Sequence, residues 1–498
     1  MNCIKRSLFI RNGIILASSA IVIRSISMLF RVFLAEKTGA EGLGLYQLVI
    51  SIYLVFVTTA SSGVCLCTTR LFTELSAKGK SSQARYAAEY CMLLSFIIGL
   101  SGGTILFAGA DLAAVQLLHD SRAAPSLRLL STGLPFLAVS SCIRGYFLAR
   151  RNSLQPSCEQ LLEQLIETGS FAVVLSLCRT ADISDTCCIA AAGTAAAEAV
   201  SFLYSILCYR ADIRKTGLMR ERLPGIVKTA APLLLPVSAN ALTRSGLSAA
   251  ENALIPCGLK KLGMNSSAAL SQYGMISGMA MPVLIFPSVL ILPFASLIIP
   301  EISEARAKSR TSSIRRITER TVASVLYYSL PVTVILIYFS SPLCGALFGS
   351  RDAGRFLAML APVVPFMYLD SAVDAILKGL NEQMSYFIFN TIDSLIRVML
   401  TAILVPVCGV YGITAVIIIS ELLNTSLSLL RLVQVTSFRV SIIRTAVIPC
   451  LLSAGACLLT ELFPLIGSEM TDMIIKISFC CLVYVPILLL SKNELPHD

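Results

Sequence analysis

Tryptophan is absent from this 498-residue chain, and histidine occurs only as His119 and His497. The first absence leaves tyrosine, lysine and arginine to mark any membrane–water boundary. The second removes the commonest ligand of a catalytic metal. Cysteine is plentiful at 17 residues, yet no two are spaced as CxxC and they lie in apolar strings such as VCLCT, DTCCIA and SFCCLV. That distribution reads as small packing residues, not metal ligands. Charge is scarce: Asp, Glu, Lys and Arg make up 14% of the chain against 56% for hydrophobic residues. Such a balance excludes both an ordinary soluble domain and a disordered chain. There is no Walker loop, nucleophile elbow or HExxH, so nothing points to ATP-driven pumping or to hydrolysis.

What the chain does have is long apolar runs. About fourteen recur along its length, each of roughly 20 residues and able to cross a hydrocarbon core. They are continuous and rich in Leu, Ile and Ala, whereas barrel strands would alternate over about 10 residues. The expected class is therefore an all-α polytopic membrane protein. Its first run is too long for a signal-peptide core and has no small-residue cleavage pattern, so it is expected to stay in the mature protein.

Basic residues test the assignment, because they should gather in alternate loops. Lys5, Arg6 and Arg11 precede the first run; Arg70, Lys78, Lys80 and Arg85 follow the second; Arg150 and Arg151 follow the fourth. Dense sets lie at 210–228 and 306–320, then come Lys378, the trio Arg431, Arg439 and Arg444, and Lys492. The opposite loops hold far fewer, such as Lys37, Arg122 and Arg179. Both termini are thus expected on the cytoplasmic side. The net charge of +11 is mostly this topological signal, and nucleic acid is not an expected partner. The basic stretch near the middle divides the chain into an N-terminal lobe at 1–209, a linker at 210–228, a C-terminal lobe at 229–435 and two further helices at 436–498.

Charges inside the apolar runs carry the functional signal. Arg24 and Arg31 stand seven residues apart in IVIRSISMLFRVFLA, two turns along one helix face. An arginine at the bilayer centre costs about 2.5–3.5 kcal/mol on insertion scales, so it needs water or a partner. Arg31 reads equally as a cavity ligand and as an anchor that snorkels to the interface. Arg244 stands in the seventh run where Arg24 stands in the first, and Glu251 then falls opposite Arg31. Glu159, Glu163 and Glu167 form a stripe at i, i+4, i+8, with Glu159 expected at the interface and Glu163 within reach of Arg144. Asp393 and Arg397 have the spacing of an internal pair, and Asp370 and Asp374 lie one turn apart. Two such carboxylates in low dielectric favour a shared proton or a cation. Glu198 and Glu421 read as single core acids.

Four segments carry a resemblance: FRVFLAEKTGAEGLGLYQL, AVSSCIRGYFLARRNSLQPSCEQLLEQ, SQYGMISGMAMPVLIFPSVLILPFASLIIPEISEA and LKGLNEQMSYFIFNTIDSLIRVML. Together, from about residue 8 to about residue 435, the chain resembles the sporulation-linked polysaccharide-transporter and lipid II flippase branches of the multidrug/oligosaccharidyl-lipid/polysaccharide (MOP) exporter superfamily. The resemblance implies two pseudo-symmetric six-helix lobes around a central cavity, two added helices forming a lipid-tail groove, and alternating access. It implies that an undecaprenyl-pyrophosphate-linked precursor for peptidoglycan or spore cortex crosses the bacterial cytoplasmic membrane, with cell-wall glycosyltransferases as neighbours. Arg24 matches a pyrophosphate-holding position, with Arg31, Arg144, Arg244 and Glu251 as further cavity candidates. Sodium or proton coupling is implied at Asn390, Asp393 and Thr414, with Arg397, Asp370 and Asp374 as coupling or ion-paired groups; no other metal or cofactor is expected. Export of another lipid-linked polysaccharide unit and cation-coupled drug antiport remain as alternatives. A membrane glycosyltransferase would need a large external catalytic loop, and a passive scaffold would tolerate neutral replacements of the buried charges. The expected molecule is a transporter, not an enzyme.

Overall fold

In a computed structural model, the structure describes residues 3–177, 182–217, 219–438, 441, 443–462 and 469–492. Arg179, Arg439 and His497 therefore lie outside the described residues. Every regular element among the described residues is helical, as a chain that must satisfy its backbone inside lipid requires. Ten helical segments are long and apolar enough to cross a bilayer, and the bent pair Ser121–Ser131 with Leu134–Ala149, at 48°, adds an eleventh.

The first segment is itself a hairpin. Helix α1 spans Cys3–Ala77, but Gly39 breaks it with φ 66° and ψ −168°, a conformation that glycine alone adopts without strain. Arg31 Nη1 donates to Gln47 Oε1 at 3.1 Å, although sixteen residues of straight helix would separate them by about 24 Å. The rings of Phe30 and Tyr46 likewise meet at 5.9 Å. The limbs 3–38 and 40–77 therefore run antiparallel. With the remaining helices, this order is compatible with fourteen passes.

By their internal packing the residues divide into two compact units, Met1–Cys257 with Ser266–Ser271, and Gly258–Asn265 with Gln272–Asp498. The first unit contains α1 together with α2 (Ser81–Ala108), α3 (Leu134–Ala149), α4 (Leu154–Leu177), α5 (Ile183–Thr216) and most of α6 (Ile226–Lys261). Small residues let these helices approach closely. A Cβ at Gly145 would lie 2.5 Å from the Cys65 carbonyl oxygen, and Thr69 Oγ1 donates to the Gly145 carbonyl at 3.0 Å. A cluster of buried apolar residues, including Val64, Leu71, Ala88, Cys142 and Tyr146, completes this packing.

The second unit contains α7 (Ile291–Ala307), α8 (Thr311–Tyr338), α9 (Val364–Gly379), α10 (Gln383–Cys408), α11 (Val410–Thr436), α12 (Ile448–Leu459) and α13 (Glu469–Lys492). Tyrosine hydroxyls fasten several of its joints. Tyr368 donates to the Leu284 carbonyl at 2.9 Å and Tyr328 to that of Pro287 at 2.8 Å. The last two helices pack on the end of α8 through Phe339, Cys457, Met473 and Cys480. The described cysteines are free thiols, mostly held among the helices as small apolar side chains.

Candidate functional site

The buried charges fall into two arrangements, one in each unit. In the first unit, α1, α3, α4 and α5 bring a set of charged side chains together. Arg144 Nη2 donates to Glu159 Oε1 at 3.1 Å and approaches Glu163 Oε2 at 4.0 Å. Gly145, with its close contact to α1, holds that stretch of α3 against its neighbour, which fixes where Arg144 projects. Glu159 is fully buried. Burial of this glutamate, near the start of α4, is matched by the Arg144 guanidinium that meets it there.

One turn on, the carboxylate of Glu167 accepts three hydrogen bonds. Thr194 Oγ1 donates at 2.8 Å, Gln164 Nε2 at 2.9 Å and the Tyr46 hydroxyl at 3.5 Å. Arg31 lies within electrostatic range of Glu167 and Tyr46 and bonds to Gln47. Its side chain is thus engaged with the interior of this unit. Glu198 of α5 is 3% exposed, with Glu163, Arg144, Glu167 and Glu159 in electrostatic range.

The other candidate cavity residues lie in this unit too. Arg24 is half-buried on the first limb of α1, Arg244 is exposed on α6, and Glu251, two turns further along α6, is buried. Thr58 Oγ1 donates to Ser245 Oγ at 2.9 Å, which places Arg244 beside a polar contact between α1 and α6.

In the second unit, charged side chains bridge neighbouring helices. Asn424 Nδ2 donates to Asp370 Oδ2 at 3.1 Å, linking α9 and α11. The Ser420 hydroxyl donates to Asp393 Oδ1, and Arg397 Nη1 lies 3.6 Å from Glu421 Oε1, both linking α10 and α11. Glu421 is therefore an ion-pair partner and not a solitary core acid. Asn390 Nδ2 donates to the carbonyl of Tyr386 at 3.0 Å and Thr414 Oγ1 to that of Tyr411 at 2.9 Å, each within its own helix. Asp374 is buried on α9. Among the described residues, no group of three or more His, Cys, Asp or Glu side chains is placed to hold a metal ion.

Arg122, at the start of the bent pair, carries two carboxylates. It is 2.7 Å from Asp120 and 2.9 Å from Glu41, just past the Gly39 break in α1. Ser267 also donates to Glu41.

Reasoning from the sequence missed Gln47, Tyr53, Thr194, Ser420 and Asn424. Gln47, Tyr53 and Thr194 stand as polar residues within apolar runs, which is the signal that would have found them, whereas Ser420 and Asn424 lie in the polar stretch SELLNTS.

Comparison with known proteins places this arrangement. The polysaccharide biosynthesis protein family matches residues 9–306. Stage V sporulation protein B of Bacillus subtilis (strain 168) is 24% identical over 428 residues, covering 84% of this chain and 82% of that protein. The lipid II flippase MurJ of the same strain is 21% identical over 443 residues, covering 82% of this chain and 79% of that one. A solved structure of lipid II flippase MurJ in an inward closed conformation superposes with a TM-score of 0.72 over 97% of this chain and 99% of that one, at 16% identity. Its match shows a shared fold. The chain belongs to the polysaccharide biosynthesis protein family and is a multi-pass membrane protein.

Proposed function

We propose that this protein is a flippase that moves an undecaprenyl-pyrophosphate-linked cell-wall precursor across the bacterial cytoplasmic membrane by alternating access. The observation that carries the reading is Arg24, a permanently charged guanidinium half-buried in the middle of an apolar membrane-spanning limb. A pyrophosphate offers the fork of oxygens that a guanidinium recognises in bidentate fashion, and a fixed cation can replace part of the hydration that the headgroup loses. The names of the relatives, a sporulation protein and a lipid II flippase, favour a peptidoglycan or spore-cortex precursor over other polysaccharide units. Cavity arginines count against a cationic drug as cargo.

In this reading Arg24 and Arg31 hold the pyrophosphate, with Arg244 and Glu251 on the corresponding helix of the second lobe. Arg144 is already engaged by Glu159 and Glu163 and positions them instead. The lobes are 1–209 and 229–435, joined by the basic stretch at 210–228 and followed by the added helices at 436–498. Both termini face the cytoplasm, where the basic loops belong. The movement needs no bond chemistry, only two packings of similar free energy whose balance the substrate shifts. Asp393, Asn390 and Thr414 are the candidate sodium contacts in the second unit. Cell-wall glycosyltransferases are the partners that would consume the delivered precursor.

The test is Arg24→Ala in cells, read by the accessibility of lipid-linked precursor at the outer surface at equal protein level. Loss of one partner from a buried charge pair costs about 2–5 kcal/mol, so exposure should fall by at least about thirty-fold. Unchanged exposure would sink the mechanism. Arg24→Lys should restore only part, because an ammonium lacks the planar fork.

A further inference from the structure

The first unit gathers a set of acids to which the flippase reading gives no contact with the substrate. Four glutamates, Glu159, Glu163 and Glu167 on α4 and Glu198 on α5, lie within mutual electrostatic range. The cations that face them are Arg144 from α3 and Arg31 from the first limb of α1. Tyr46 and Tyr53 face them from the second limb of α1, and the thiols of Cys65 and Cys187 stand at the margins. With every group ionised, the centre would hold two more negative charges than positive ones. Like charges crowded in low dielectric disfavour full ionisation, and removing an ion from water costs several kcal/mol.

Two buried polar atoms point to what resolves this imbalance. Tyr53 is 4% exposed and its hydroxyl has no hydrogen-bond partner, although Glu198, Glu163 and Glu167 are all in electrostatic range of it. Oε2 of the fully buried Glu159 is also without a partner. A carboxylate is an acceptor only, whereas a neutral carboxylic acid supplies a donor. One added proton therefore lowers the net negative charge of the centre. A metal ion would need several oxygens converging on one point, and no such group of acids exists among the described residues. Glu167 already accepts from Thr194, Gln164 and Tyr46 and is suited to stay ionised. Glu198 and Glu163 are the ones suited to carry the proton.

We infer that Glu198 and Glu163, with Tyr53 beside them, form a proton-binding site inside the first unit, occupied at neutral pH. The site gives the protein a proton store separate from the paired acids of the second unit. It also ties the proton to anions: a negative group drawn to Arg31 adds negative charge near Glu167 and favours keeping the proton bound.

The experiment is infrared titration of the full chain in lipid nanodiscs, without substrate, so its outcome is independent of whether the protein is a flippase. The expected result is a neutral carboxylic-acid carbonyl band at neutral pH that shifts in heavy water and is the same in sodium chloride and choline chloride. Glu198→Gln or Glu163→Gln should remove an intensity of about one carboxyl per chain, Tyr53→Phe should move the band, and Asp370→Asn should leave it. Absence of the band from the unmodified protein would overturn the site without recourse to variants. So would a band that sodium abolishes, which would mean a metal ion in the proton's place, or one that survives both glutamine replacements.

Discussion

The two units solve the same problem in different ways. Both bury ionisable groups within membrane-spanning helices, but in the second unit the charged groups bridge neighbouring helices, Asp370 to Asn424, Asp393 to Ser420 and Arg397 to Glu421. The first gathers four acids around two arginines, so that no group can change without its neighbours responding. A shared centre makes each member's state depend on the rest. The difference suggests that the first unit's charges are built to change state and that the second unit's hold helices together.

The sharpest way to break this contrast is to remove one cation from each unit. Arg144→Ala leaves the fully buried Glu159 and its neighbours without their nearest cation and should cost about 3–5 kcal/mol. Arg397→Ala, at a side chain 23% exposed beside a 16% exposed partner, should cost at least about 1 kcal/mol less. Thermal unfolding of the purified variants in one detergent measures both, and equal losses would remove the distinction.

A smaller effect tests whether the centre depends on close packing. Gly145→Ala would drive a Cβ to 2.5 Å from the Cys65 carbonyl oxygen, a backbone atom that cannot swing aside. It should destabilise by about 1–3 kcal/mol. Gly169→Ala on α4 meets nothing within 4 Å and should instead stabilise by about 0.5–1 kcal/mol. Equal Tm changes would show that α3 and α1 tolerate separation.

The smallest effect lies at the loop before α10. Arg431 bonds to Glu382 at 2.9 Å and, with Ser385, holds its carboxyl below the ordinary glutamate range. The sign follows: this contribution is present in full above the ordinary carboxylate pKa and is lost as pH falls through the depressed one. The pair is solvent-screened, so Glu382→Gln should cost under about 1 kcal/mol. Its mark is a shallower acid limb in Tm against pH, and an unchanged limb would show that the pair contributes nothing.

Much of this was legible in the sequence. The apolar runs announced the class, and the i, i+4, i+8 spacing put Glu159, Glu163 and Glu167 on one stripe. Partner choice was not legible, because it depends on which helices become neighbours. Spacing offers Asp393 to Arg397, and it could not show that packing also brings Glu421 of the next helix to 3.6 Å from that arginine. That Glu159 is fully enclosed could not be read from its polar local sequence, because its burial depends on Arg144 arriving from α3. Gln47 and Tyr53 were passed over because one polar atom in an apolar run has no period.

Gly39 also sets an order of events in synthesis. Because it turns α1 back on itself, the partner of Arg31 is Gln47, only sixteen residues later in the chain. The arginine's cost in lipid is thus offset within a single helical hairpin, before any of the four glutamates has left the ribosome. The charge that later faces Glu167 enters the membrane already accompanied.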